Sequence, residues 1–197
     1  MSDFVNTIDL LGDQATADAI VSRTITDFKD DALPVVAKYK FYSCENLTSI
    51  DLPSVKTIDE SAFQRCTALA SVNLPNVVTI YGAFKECRGL TSVVLPKLET
   101  FGSGAFYQCS NLVMVDAPMA TSIASTAFNN TKIATLILRG SAVCELKDTS
   151  AFGNVSNTIT VYVPYDWIDA YENATNWSSL VASDKVTFEA LEGSEYD

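Results

Sequence analysis

Phe63-Gln-Arg-Cys66-Thr-Ala-Leu69-Ala-Ser-Val72-Asn-Leu74-Pro75 decides the fold, because the chain writes this pattern four times. The copy before it places Phe41, Cys44, Leu47, Ile50, Leu52 and Pro53 in the same slots. The copies after it place Phe84, Cys87, Leu90, Val93, Leu95 and Pro96, then Phe106, Cys109, Leu112, Val115, Ala117 and Pro118. Phe128 and Phe152 extend the register, so successive phenylalanines are, by subtraction, 22, 21, 22, 22 and 24 residues apart. A period in the twenties predicts a solenoid, in which each unit buries its apolar side only against its neighbours.

Within a unit, the aliphatic-x-aliphatic-Pro segment predicts a short strand of a parallel sheet, ended by a proline that has no N–H to pair. A second segment follows in each unit: Val55-Lys-Thr-Ile58, Val77-Val-Thr-Ile80, Leu98-Glu-Thr-Phe101 and Ala120-Thr-Ser-Ile123. Its apolar residues are predicted to line the opposite wall. The phenylalanines are predicted to stack as an aromatic spine. Cys44, Cys66, Cys87 and Cys109 share one slot and are predicted to form an interior thiol ladder at a tight corner. Free buried thiols are the favoured reading; disulfides between rungs and metal ligation stay open, although no C-x-x-C spacing is present. Cys144 stands outside the ladder, either buried or as the one accessible thiol.

Composition narrows the function. The chain has 197 residues, 48% of them hydrophobic, with net charge −11 and no histidine. Without histidine, Ser-His-Asp and Cys-His catalysis and His-ligated zinc are excluded. The acidic balance without a basic cluster argues against nucleic acid. No apolar run reaches the ~18 residues of a membrane span. Met-Ser-Asp-Phe-Val-Asn lacks the basic and apolar regions of a secretory signal. That leaves a particle-borne protein, a trimmed surface protein or a cytoplasmic one.

The repeat resembles the BspA-type leucine-rich repeat, also called the Treponema pallidum type, over Phe41 to Ala127 and more loosely to Pro164. The flanks are similar to leucine-rich-repeat proteins encoded by prophages and surface loci of gut bacteria. The residues carrying that likeness are Ile8 to Asp13, Thr135 to Arg139, Tyr162-Val163-Pro164, Tyr171 and Asn176-Trp177-Ser178. The resemblance implies attachment to host surfaces, other proteins or glycans, with no catalytic residues. The expected fold is therefore an α/β repeat: a right-handed leucine-rich-repeat solenoid of about six coils with a short parallel β-sheet and helical caps at both ends.

The expected organisation is a helical cap at 1–23 begun by Asp13, a degenerate first repeat at 24–40, the solenoid at 41–164, a C-terminal cap at 165–191 and a loose acidic tail at 192–197. In the C-terminal cap, Asp166 is read as an N-cap. Strand residues between the core positions are the candidate partner-binding face. One column is Ser49, Ser71, Ser92, Met114 and Thr135; the other is Asp51, Asn73, Val94, Asp116 and Ile137. Val94, Met114 and Ile137 form the proposed contact patch.

Other constellations have structural readings. Asp51 and Asp116 are three coils apart, roughly 14 Å at the strand spacing, too far for a carboxylate pair. Asp59 and Glu60 complete no such pair. Asp27, Asp30 and Asp31 lack a calcium-loop pattern and read as a solvated turn. Gly102-Ser-Gly104 falls in the same turn as Gly82, so the repeat accounts for it. Trp167, Tyr165, Tyr171 and Trp177 could stack on sugars but read better as cap core. No cofactor is expected. The expected partner is a protein or glycan on a surface; the alternative is an assembly subunit, a virion decoration or tail-associated protein that forms homo-oligomers through its ends or edges.

Overall fold

The computed structural model describes residues 14–197, so Asp13 and the segment from Ile8 lie outside the described residues. The first described element is α1 (Gln14–Val21). From there the chain winds through coils that each contribute a strand to a front and a back wall. The front strands are β1 (Asp27–Lys29), β3 (Ser49–Asp51), β5 (Ser71–Asn73), β7 (Ser92–Val94), β9 (Met114–Asp116), β11 (Thr135–Ile137) and β13 (Ile159–Val163). The back strands are β2 (Val35–Val36), β4 (Thr57–Ile58), β6 (Thr79–Ile80), β8 (Thr100–Phe101), β10 (Ser122–Ile123) and β12 (Glu145–Leu146). All pairings are parallel and join each coil to the next.

The back wall is one six-stranded sheet, whereas the front wall is split into β1-β3-β5 and β7-β9-β11-β13-β14, the last strand being Val186–Ala190. The split falls where the repeat is shortest, at the 21-residue step from Phe63 to Phe84. There Gly89 lies so close to the preceding coil that a Cβ would stand 2.6 Å from the Leu69 carbonyl oxygen. Only glycine permits that approach.

Three sets of contacts run from coil to coil besides the sheets. Phe41, Phe63, Phe84, Phe106, Phe128 and Phe152 stack with centroid spacings of 4.9, 5.3, 5.5, 5.9 and 5.5 Å and ring planes within 10° of parallel. Trp177 closes the stack against Phe152. Beside the rings, backbone N–H groups donate across each corner, as Phe63 does to Ala83 and Arg65 to Lys85. The corners need left-handed backbone at residues of many types: Ser43, Arg65, Glu86, Gln108, Asn130 and Asn154 all have φ between 53° and 65°. Tyr39, Ser61, Gly82, Gly104 and Thr126 form a second such series.

The thiols supply the third set. Cys66, Cys87 and Cys109 donate to the carbonyls of Phe41, Phe63 and Phe84 in the preceding coil at 3.1, 3.1 and 2.9 Å. Cysteine therefore suits this slot as a small group with a donor as well as a small hydrophobe. All five cysteines are free and buried, Cys144 included. Burial raises every thiol pKa, that of Cys44 to about 11 and that of Cys144 to about 12. In the fifth unit Thr131 replaces cysteine and donates within its own coil, to the Phe128 carbonyl at 2.8 Å.

The C-terminal cap contains α2 (Ile168–Asn173), α3 (Trp177–Ala182) and β14 (Val186–Ala190). β14 extends the front sheet by pairing with β13 over five residues. Trp177 and Tyr171 are buried and grip the backbone of Cys144: the indole N–H donates to its carbonyl at 2.8 Å, and the phenol oxygen accepts its N–H at 2.9 Å. Tyr165, by contrast, is exposed. Asp166 does not cap a helix. A short 3-10 turn at Tyr165–Trp167 intervenes after Pro164, and α2 begins behind Trp167 without a side-chain cap. Among the described residues no buried side-chain nitrogen or oxygen lacks a hydrogen-bond partner, and no helix is long and apolar enough to cross a membrane.

Residues 192–197 follow β14. They fold back onto the front wall, where the Arg139 guanidinium donates to the Tyr196 carbonyl at 2.7 Å and the Tyr196 ring meets Tyr162 edge-on at 4.8 Å.

Candidate binding face

Strand register builds two parallel columns on the front wall. Pairing aligns Asp27, Ser49 and Ser71, and beside them Lys29, Asp51 and Asn73. Beyond the split it aligns Ser92, Met114, Thr135 and Thr160, and beside them Val94, Asp116, Ile137 and Tyr162. Of the residues between the columns, Ile50, Val93, Val115 and Leu136 are buried and hold their strands on the core, while Val72 on β5 is partly buried. Side-chain alternation along each strand is what turns the polar positions outward.

The early end of this face is a closed polar network. The Lys29 ammonium lies 2.9 Å from Asp51, whose other carboxylate oxygen accepts from Asn73 at 2.7 Å. Those two partners, Lys29 first, hold the Asp51 carboxyl below its ordinary pKa. Ser49 and Thr48 donate to Asp27 at 2.5 and 3.1 Å and lower its pKa likewise. Asp30 accepts from the backbone of Ala32 and Leu33, so it is committed to its turn. Exposed ion pairs of this kind contribute little stability; here they fix the orientation of the polar groups.

The middle of the face is apolar. Val94 is 53% exposed and Met114 is half-buried. Ser71, Asn73 and Ser92 are exposed around them.

The late end is covered. Ile137 is 1% exposed, so it does not belong to the open patch with Val94 and Met114. It stands in its column between Asp116 and Tyr162, and both neighbours are engaged with the returning segment or its anchor. Asp116 pairs with Arg139 at 2.5 Å, and Arg139 in turn holds Tyr196. Arg139, Tyr162 and Tyr196 were not among the sequence candidates. The available signal was Arg139, which occupies the slot that holds proline in the four regular units.

Among the described residues no group of three or more His, Cys, Asp or Glu side chains is placed to hold a metal ion. Asp59 and Glu60 sit on another corner, where Glu60 pairs with Lys38 at 2.7 Å and Lys85 at 3.8 Å.

A sequence profile described as the BspA type leucine rich repeat region matches in six copies, over residues 34–159 and 81–187. The chain belongs to this family. Solved leucine-rich-repeat structures share the fold of this BspA-type chain. A leucine rich cell surface protein from Faecalibacterium prausnitzii A2-165 is 20% identical, with a TM-score of 0.55, over 84% of this chain and 39% of that one. The pneumococcal vaccine antigen PcpA is 16% identical, with a TM-score of 0.66, over 84% of this chain and 41% of that one. The chain thus spans about two fifths of the length of either protein. No curated protein sequence matches it.

Proposed function

We propose that this BspA-type chain is a non-catalytic recognition module that presents its front sheet to a protein partner. The observation that carries this reading is the graded face: Val94 and Met114 lie open between a polar network at Asp51 and the Asp116–Arg139 pair. An apolar centre with a hydrogen-bonded polar rim is the usual anatomy of a protein contact. The exposed apolar surface of Val94 favours a protein partner over a glycan. Of the two solved relatives one is a cell surface protein and the other a vaccine antigen, which favours a bacterial surface over a phage particle as the setting.

The test is a binding screen with the full chain against host extracellular proteins and glycans, followed by the double variant Val94→Asp, Met114→Asp. Both positions reach solvent, so the variant should fold with an unchanged thermal midpoint. A true partner should lose at least tenfold in affinity, about 1.4 kcal/mol. A control variant on the back wall, Thr79→Asp, should retain it. Equal binding by wild type and the double variant would remove the patch from the reading.

A further inference from the structure

We propose that the late end of the front wall is a peptide-binding seat which residues 192–197 fill in cis, and that it also receives a tyrosine-bearing turn of a partner protein. The inference deepens the reading of the front wall as a contact face and rests on it. The sheet bond from the Leu191 N–H to the Val163 carbonyl, 2.9 Å, is the last that ties the chain to the solenoid ladder. Beyond it the segment turns at Gly193, φ +80°, which has open space around it. The segment is held to the body by other means. The Glu192 carboxylate accepts from the Tyr165 N–H at 2.9 Å, the Tyr196 carbonyl accepts from Arg139 at 2.7 Å, and the Tyr196 ring lies against Tyr162 at 4.8 Å. Its remaining backbone donors stay local: Ser194 N–H donates to the Leu191 carbonyl, Gly193 N–H to the Asp197 carboxylate, Tyr196 N–H to the Ser194 hydroxyl and Asp197 N–H to the Ser194 carbonyl. The segment is thus a self-contained turn that offers one ring and one carbonyl to a prepared surface.

The surface is prepared because its parts do not depend on the segment. Arg139 is oriented by Asp116, Tyr162 stands on β13, which pairs with β11 on one side and β14 on the other, and the buried Ile137 is its register partner on β11. Nor does the solenoid need the segment as a cap, since α2, α3 and β14 already cover the last coil. A cation that reads a backbone carbonyl beside an aromatic ring that reads another ring is a recognition pair of general use. A tethered occupant acts at an effective concentration on the order of millimolar, so a free ligand competes poorly until the occupant is weakened.

The experiment uses the full chain and a capped peptide of sequence Glu-Gly-Ser-Glu-Tyr-Asp. Binding is followed by amide chemical shifts in wild type, in Tyr196→Ala, and in Tyr196→Ala combined with Arg139→Gln. Peptide affinity should rise at least tenfold in Tyr196→Ala over wild type, with shifts at Ile137 and Tyr162, and should be lost in the double variant. A peptide with alanine for tyrosine should not bind. Equal affinity in wild type and Tyr196→Ala, or no binding to Tyr196→Ala when its thermal midpoint shows it folded, would overturn the proposal. Neither Val94 nor Met114 is altered, so failure here leaves the contact patch standing, and failure of the patch leaves the seat standing.

Discussion

Replacing Phe106 by alanine tests whether the coils hold each other together through the aromatic stack. Phe106 is fully buried, lies 5.5 Å from Phe84 and 5.9 Å from Phe128 in near-parallel planes, and meets Phe101 at 6.2 Å. Truncating a buried phenylalanine costs about 3–5 kcal/mol. Aromatic pairs contribute roughly 0.5–1.5 kcal/mol each beyond area burial, and this ring makes three contacts, which places it at the upper end. A chain of this size loses roughly 2–4 °C per kcal/mol, so the thermal midpoint should fall by about 10–20 °C. Phe106→Leu keeps most of the volume and should cost about 1.5 kcal/mol or slightly more, because the ring contacts go. Urea unfolding with circular dichroism and tryptophan fluorescence would measure both. A loss below about 1 kcal/mol for alanine, or equal losses for alanine and leucine, would refute the argument that the stack is a shared core.

The thiols should be inert in the native chain: a disulfide exchange reagent should titrate none of the five before denaturation and all five after it. Their raised pKa values also fix a pH dependence. Neutral thiol is favoured in the folded state, so this stabilisation is complete below about 9 and is lost as pH rises towards the folded values of about 11 for Cys44 and about 12 for Cys144; the urea midpoint should fall across that range. Thr126→Gly should stabilise, because a β-branched residue sits at φ 56° where coils three and four use Gly82 and Gly104. Relief of about 1–2 kcal/mol of left-handed strain, less about 0.5–1 for glycine's unfolded-state freedom, leaves roughly 0.5–1 kcal/mol, readable as a higher urea midpoint. Gly89→Ala should lower it by about 1–3 kcal/mol, since the added Cβ meets a backbone carbonyl that cannot swing aside.

The sequence made the interior legible because every coil faces the same packing constraint. Phe63, Cys66, Leu69 and Leu74 recur because each must fit against copies of themselves one coil away. The split of the front sheet was encoded in a spacing of 21 and in Gly89, but a spacing alone does not say which wall gives way. The left-handed corners were hidden. Arg65, Glu86 and Gln108 carry no local preference for positive φ, and the hydrogen bonds of the neighbouring coil impose it. Asp166 had the right chemistry for a cap, yet Pro164 and the turn behind it move the helix start past its reach. On the face, Ser49, Asp51, Val94 and Met114 lie where alternation put them. Ile137 keeps its place in the column but is buried, and the Arg139–Tyr196 contact beside that column spans 57 residues, a distance over which periodicity carries no information.

The hydrogen bonds between coils all point along the stack, and this governs how the molecule meets a pull on its two ends. Tension along that axis loads one junction at a time, as in a zipper, and never all together as in shear. Each coil that lets go surrenders a 22-residue stretch, which extends by roughly 70 Å once the 4.8 Å coil step is subtracted. A chain anchored at one end and gripping something at the other would therefore yield in small steps of long reach, lengthening under load before its grip is forced open.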